Sequence, residues 1–151
     1  MFKSILLLSF LLLSCSGNKL PSWPEQFKWF WGGSSAGYSC ITIDEPGSPH
    51  FADNRLCWKD GFHNPGFIWS WAGAISGMRC TKVYDTSNKH WADNYLCVPD
   101  NSPYDFVFSW AGRISGKACI NINEPGESAW NDNFLCATAG VGPSFDESCA
   151  F

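Results

Sequence analysis

Two cysteines stand seventeen residues apart three times over in this chain: Cys40 and Cys57, Cys80 and Cys97, Cys119 and Cys136. Around them the chain repeats itself. From Phe27 it reads FKWFWGGSSAGYSCITIDEPGSPHFADNRLC, from Phe67 FIWSWAGAISGMRCTKVYDTSNKHWADNYLC, and from Phe106 FVFSWAGRISGKACININEPGESAWNDNFLC. The copies begin 40 and then 39 residues apart. Self-similarity of this period marks one supersecondary unit that cannot bury its apolar side alone and must stack on its neighbours. The layout follows as repeats 27–66, 67–105 and 106–138 within one domain, 27–138. A leader (1–14) and a stalk (15–26) precede it, and a tail (139–151) follows.

Equal cysteine spacing predicts one local disulfide per copy, formed in an oxidising compartment. Each closed loop is worth about 3 kcal/mol in the chain-entropy account. Zinc is the competing use of cysteine, but it takes close Cys pairs or Cys/His clusters, and the sequence has neither at ligand spacing. Cys15 and Cys149 remain: they pair with each other if both survive, and Cys149 is left over if Cys15 is modified or removed.

The first residues support export. MFKSILLLSFLLLS carries Lys3 and an apolar run from Ile5 to Leu13, too short to cross a bilayer and shaped like a secretory core. Leu12-Leu13-Ser14-Cys15 resembles the signal of a bacterial lipoprotein, and that resemblance makes Cys15 the lipidated first residue of the mature chain. The alternative is an ordinary signal peptide cut after Gly17. Either route predicts an extracytoplasmic protein, secreted or lipid-anchored at the envelope, that meets the membrane only through Cys15.

Within each copy the aromatics alternate: Phe27, Trp29, Trp31; Phe67, Trp69, Trp71; Phe106, Phe108, Trp110. Period two predicts a strand with all three rings on one face, and nine such rings predict the core. The glycines that follow (Gly33 and Gly37, Gly73 and Gly77, Gly112 and Gly116) bracket a tight turn. A second strand runs past the first Cys, a polar loop follows, and a third strand carries Leu56, Leu96 or Leu135 into the second Cys. Pro21 and Pro24 argue against a helix in the stalk. A three-stranded ribbon leaves one side bare, so three copies are expected to close around a pseudo-threefold axis and remove their free edges. The expectation is an all-β domain. Three repeats of this length resemble the β-trefoil carbohydrate-binding modules, with a β-prism-like arrangement as the alternative.

The repeated polar loop supplies the candidate ligand-binding residues: Phe51, Asp53 and Asn54; Trp91, Asp93 and Asn94; Trp130, Asp132 and Asn133. A ring packs against the C–H side of a pyranose while a carboxylate and an amide hydrogen-bond its hydroxyls. The same Asp-Asn pair also suits an Asx turn, and a Trp beside a disulfide also suits packing. Trp130-Asn131-Asp132 is similar over three residues to the Trp-Asn-Asp stretch of C-type lectins, where it helps hold calcium. No cofactor is expected, although Asp44-Glu45 and Asn123-Glu124 would let calcium bridge to Asp53 and Asp132 if the carboxylates met.

Composition trims the remaining classes. A formal charge of −4 offers nothing to nucleic acid or anionic lipid. Three His residues and no Gly-x-Ser-x-Gly or His-Glu-x-x-His leave little for catalysis. Acids repeated near-symmetrically suit binding better than glycoside hydrolysis, which needs two carboxyls in unlike surroundings. The expected function is a lectin-like module that binds glycans and is not an enzyme. The alternative is a protein-binding or inhibitory surface protein with purely structural repeats that meets a cell-surface or envelope partner. A small secreted hydrolase is the third reading.

Overall fold

The computed structural model describes residues 23–87 and 89–138. The leader, Cys15, residues 15–22, the 139–151 tail and Cys149 lie outside the described residues. The first copy forms β1 (Phe27–Phe30), β2 (Tyr38–Thr42) and β3 (Arg55–Lys59). The second forms β4 (Ile68–Ser70), β5 (Met78–Lys82) and β6 (Tyr95–Pro99), and the third β7 (Phe106–Ser109), β8 (Lys117–Asn121) and β9 (Phe134–Thr138). Each copy is its own antiparallel sheet with its last strand in the middle: β1-β3-β2, β4-β6-β5 and β7-β9-β8.

The glycine-bracketed segment therefore turns the chain without closing a hairpin. Tyr38, Met78 and Lys117 donate their N–H groups back to the carbonyls of Ser35, Ile75 and Ile114 at 3.3, 3.3 and 3.2 Å. The glycine before each has φ of 79°, 76° or 75°, a conformation that a side chain would strain. The flanking strands then run as the two edges of the sheet.

Register places Cys40 directly opposite Cys57, Cys80 opposite Cys97 and Cys119 opposite Cys136. All three pairs are bonded, with Cα atoms 4.0, 4.1 and 4.0 Å apart. Each disulfide thus staples an edge strand to the centre of its own sheet. Three such bonds fit an oxidising, extracytoplasmic compartment. Among the described residues, no helix is long and apolar enough to cross a membrane.

The copies are related by a threefold axis. The equivalent residues Phe51, Trp91 and Trp130 all touch one another, with ring centroids 4.6, 5.0 and 4.4 Å apart. Three equivalent groups can meet pairwise only where an axis passes between them. A second aromatic layer joins Phe27 to Phe67 at 5.5 Å and Phe67 to Phe106 at 5.6 Å, with Tyr104 against Phe27. Ile43, Val83, Ile122, Leu56, Leu96 and Leu135 are buried with these rings.

The sheets meet edge to edge in a closed cycle. The first strand of each copy packs on the second strand of the copy before it: β4 on β2, β7 on β5, and β1 on β8. The Thr81 hydroxyl donates to the Phe106 carbonyl at 2.8 Å across one seam. The Trp69 indole N–H donates to the Asp44 carbonyl at 2.8 Å, and Trp29 donates to the Asn123 carbonyl at 3.1 Å. Phe108, the third member of that set, has no donor. The all-β, disulfide-stapled threefold arrangement expected from the repeats is present. Its sheets stay separate, as in a prism, and are not joined into one barrel.

Two local expectations change. Residues Trp23–Gln26 form a single helical turn, α1, that packs on β8. Pro24 stands in its first turn, where a missing N–H breaks no helical bond. The nine strand aromatics are not all core either: burial falls along each strand, from Phe27, Phe67 and Phe106 inside to Trp31, Trp71 and Trp110 outside.

Candidate functional site

The loop residues expected to hold a ligand divide sharply. Each ring ends a single 3-10 turn, Pro49–Phe51, Lys89–Trp91 or Ser128–Trp130, that aims it at the axis. Phe51, Trp91 and Trp130 are 0–1 % exposed and form the innermost aromatic layer. A ring packed on both sides cannot serve as a sugar platform, so these three are corrected to core. Asn54, Asn94 and Asn133 are fully buried as well and are corrected with them. Asp53, Asp93 and Asp132 lie exposed on the surface.

The buried amides meet the acidic loops, always from a different copy. Asn133 Nδ2 donates to Asp85 Oδ2 at 3.1 Å. Glu45 faces Asn94 and Glu124 faces Asn54 in the same way. In those two pairs both amide atoms of the Asn, and Oε2 of the Glu, fall outside hydrogen-bond geometry. Burial pushes both Glu carboxyls above the usual carboxylate range, the facing amide offsets part of this, and nearby Asp93 or Asp53 adds to the rise. Asp53 thus acts on Glu124 through its charge. Among the described residues, no group of three or more His, Cys, Asp or Glu side chains is placed to hold a metal ion.

The rings that reach solvent are the last of each strand series. Trp31, Trp71 and Trp110 are 53, 53 and 49 % exposed. Two residues beyond each, the N–H of Gly33, Gly73 or Gly112 donates to the carbonyl of Asp53, Asp93 or Asp132 at 3.0, 2.8 and 2.8 Å. These bonds hold each tryptophan loop against the stretch that carries the exposed carboxylate. By the threefold relation the three ring–carboxylate sets lie at one height along the axis.

Sequence reasoning placed Trp31, Trp71 and Trp110 in the core because the alternation of each strand runs through them. The available signal was the glycine two residues later, which shows that the strand is about to end. The inward turn of Asn54, Asn94 and Asn133 was also available: each lies two residues before the buried Leu56, Leu96 or Leu135 and so shares its side of the chain.

Compared with protein-family models, curated proteins and solved structures, the chain matches none.

Proposed function

We propose that this is an exported carbohydrate-binding module, held at the envelope through Cys15 or released after its leader is cut, and that it binds rather than transforms its ligand. The reading rests chiefly on one observation: three symmetry-equivalent tryptophans, each about half exposed, lie on loops that a backbone hydrogen bond ties to the exposed Asp53, Asp93 and Asp132. An indole face stacks on the C–H side of a pyranose, and a carboxylate accepts from adjacent hydroxyls. The site is the set Trp31 with Asp53, Trp71 with Asp93, and Trp110 with Asp132. A flat ring on an open surface buries little of any ligand, which suits a module that gains strength from several weak contacts.

The test is a glycan array followed by titration of tryptophan fluorescence with the free sugar of the best hit. Binding should vanish in the triple variant Trp31→Ala, Trp71→Ala, Trp110→Ala while its near-ultraviolet circular dichroism from the buried rings persists. A folded wild-type protein that binds no glycan, yet captures one protein through the same tryptophans, would replace this reading with that of a protein-binding surface. Intact mass of the mature chain distinguishes a diacylated Cys15 from a chain cut after Gly17.

A further inference from the structure

The three ring sites are alike in placement but not in how firmly they are held. In the second copy the Ser70 hydroxyl donates to the Gly73 carbonyl at 2.6 Å and accepts from the Ala72 N–H at 3.4 Å. In the third, Ser109 does the same with Gly112 at 2.7 Å and Ala111 at 3.4 Å. These bonds span the loop that carries Trp71 or Trp110, tying its two ends together. The first copy has Phe30 in place of the serine, and that ring turns away to pack on Tyr38 at 5.7 Å. It also has Gly32 where the others have Ala72 and Ala111, which adds backbone freedom beside Trp31. A Cβ on Gly32 would meet nothing within 4 Å, so no steric demand keeps glycine there.

Resting on the carbohydrate reading above, we propose that the module grips densely displayed glycans bivalently. The serine-stapled Trp71 and Trp110 sites carry the binding, Ser70 and Ser109 act as positioning residues, and the Trp31 site is auxiliary. A loop ordered before binding loses less freedom on contact, and the difference appears as affinity. Two open sites carried on one rigid body then engage two sugars on one surface, and the second contact is intramolecular. A single soluble sugar gains nothing from this arrangement, so the ligand class is an arrayed glycan, as on a cell coat or polysaccharide, not a free oligosaccharide.

The experiment uses the mature chain on arrays printed with the same glycans at high and low density. Wild type should bind at high density and lose roughly 10²-fold in apparent affinity at a spacing beyond the span of two sites. Trp71→Ala and Trp110→Ala should each cost roughly 10²-fold at high density, and Trp31→Ala no more than about threefold. Ser70→Ala should cost roughly two- to tenfold, with Ser70→Thr restoring binding because the hydroxyl is kept. The double variant Phe30→Ser, Gly32→Ala grafts the stapled loop onto the first copy and should strengthen high-density binding. Equal losses from all three tryptophan variants would overturn the proposal, as would binding indifferent to density or an unrescued Ser70→Thr, while leaving the carbohydrate reading in place. Absence of any glycan binding by wild type removes the carbohydrate reading itself.

Discussion

Trp91→Ala and Trp71→Ala remove the same side chain from neighbouring parts of one copy, and the structure assigns them opposite consequences. Trp91 is wholly buried, with its ring 4.4 Å from Trp130, 4.6 Å from Phe51 and 5.6 Å from Trp69. Truncating a buried Trp costs about 3–5 kcal/mol. Its indole N–H has no hydrogen-bond partner among the described residues, so part of that burial was already unfavourable, and a loss near the low end, about 3 kcal/mol, is expected. Against a total of about 5–15 kcal/mol for a domain, this is a large share. Trp71, 53 % exposed, should cost no more than about 0.5 kcal/mol. Trp91→Phe copies the residue that the first copy uses and also removes the orphaned N–H, so it should stay within about 1 kcal/mol of wild type. Urea unfolding with the disulfides intact, followed by near-ultraviolet circular dichroism, measures all three. If Trp91→Ala and Trp71→Ala unfold at the same midpoint with the same slope, the aromatic layer on the axis does not exist as described.

Replacing Cys80 and Cys97 together with Ala should cost about 2–4 kcal/mol, and peptide mapping of the oxidised wild type should find only bonds within copies. Glu45→Gln with Glu124→Gln should stabilise the domain at neutral pH, because burial raises both carboxyls and so penalises their charged forms. In wild type this cost is relieved as protons bind, so the gap between the two proteins should close as pH falls through the raised values toward 4.5. A gap that widens on acidification, read from melting temperatures across that range, would show the carboxyls to be stabilised as anions. Gly66→Ala should destabilise by about 1–3 kcal/mol, since its φ is 70° and a Cβ there would lie 2.9 Å from Pro99 Cδ. Trp69→Phe forfeits the bond to the Asp44 carbonyl across a seam and should cost about 0.5–1.5 kcal/mol, read from the same urea midpoint.

The repeats made most of the architecture legible. Equal cysteine spacing sufficed because a disulfide between directly opposed residues also fixes strand register. Strand order was not legible: alternation marks which residues share a side, and nothing in it tells that the last strand of a copy lies between the first two. The candidate rings were inverted for a related reason. Trp91 sits among Ala92, Asp93 and Asn94, a polar setting that reads as surface, yet one helical turn sends the ring to the axis. Trp71 continues the alternation of Phe67 and Trp69, but alternation gives side and not depth, and the strand leaves the body before reaching it. Asp53, Asp93 and Asp132 were placed correctly on the outside. The pairing of Glu45 with Asn94 joins distant parts of the chain, and no local pattern could have revealed it.

Of the three seams, two are bridged by the peptide chain itself, and the one between β1 and β8 is not. Closure there depends on side chains such as Trp29 and on the turn Trp23–Gln26, which lies on β8 like a latch across a clasp. Under stress the ring should spring at that point first, and amide exchange in β1 and β8 should run ahead of β4 and β5. Trimming the chain back to Phe27 would then loosen the whole bracelet while removing no sheet.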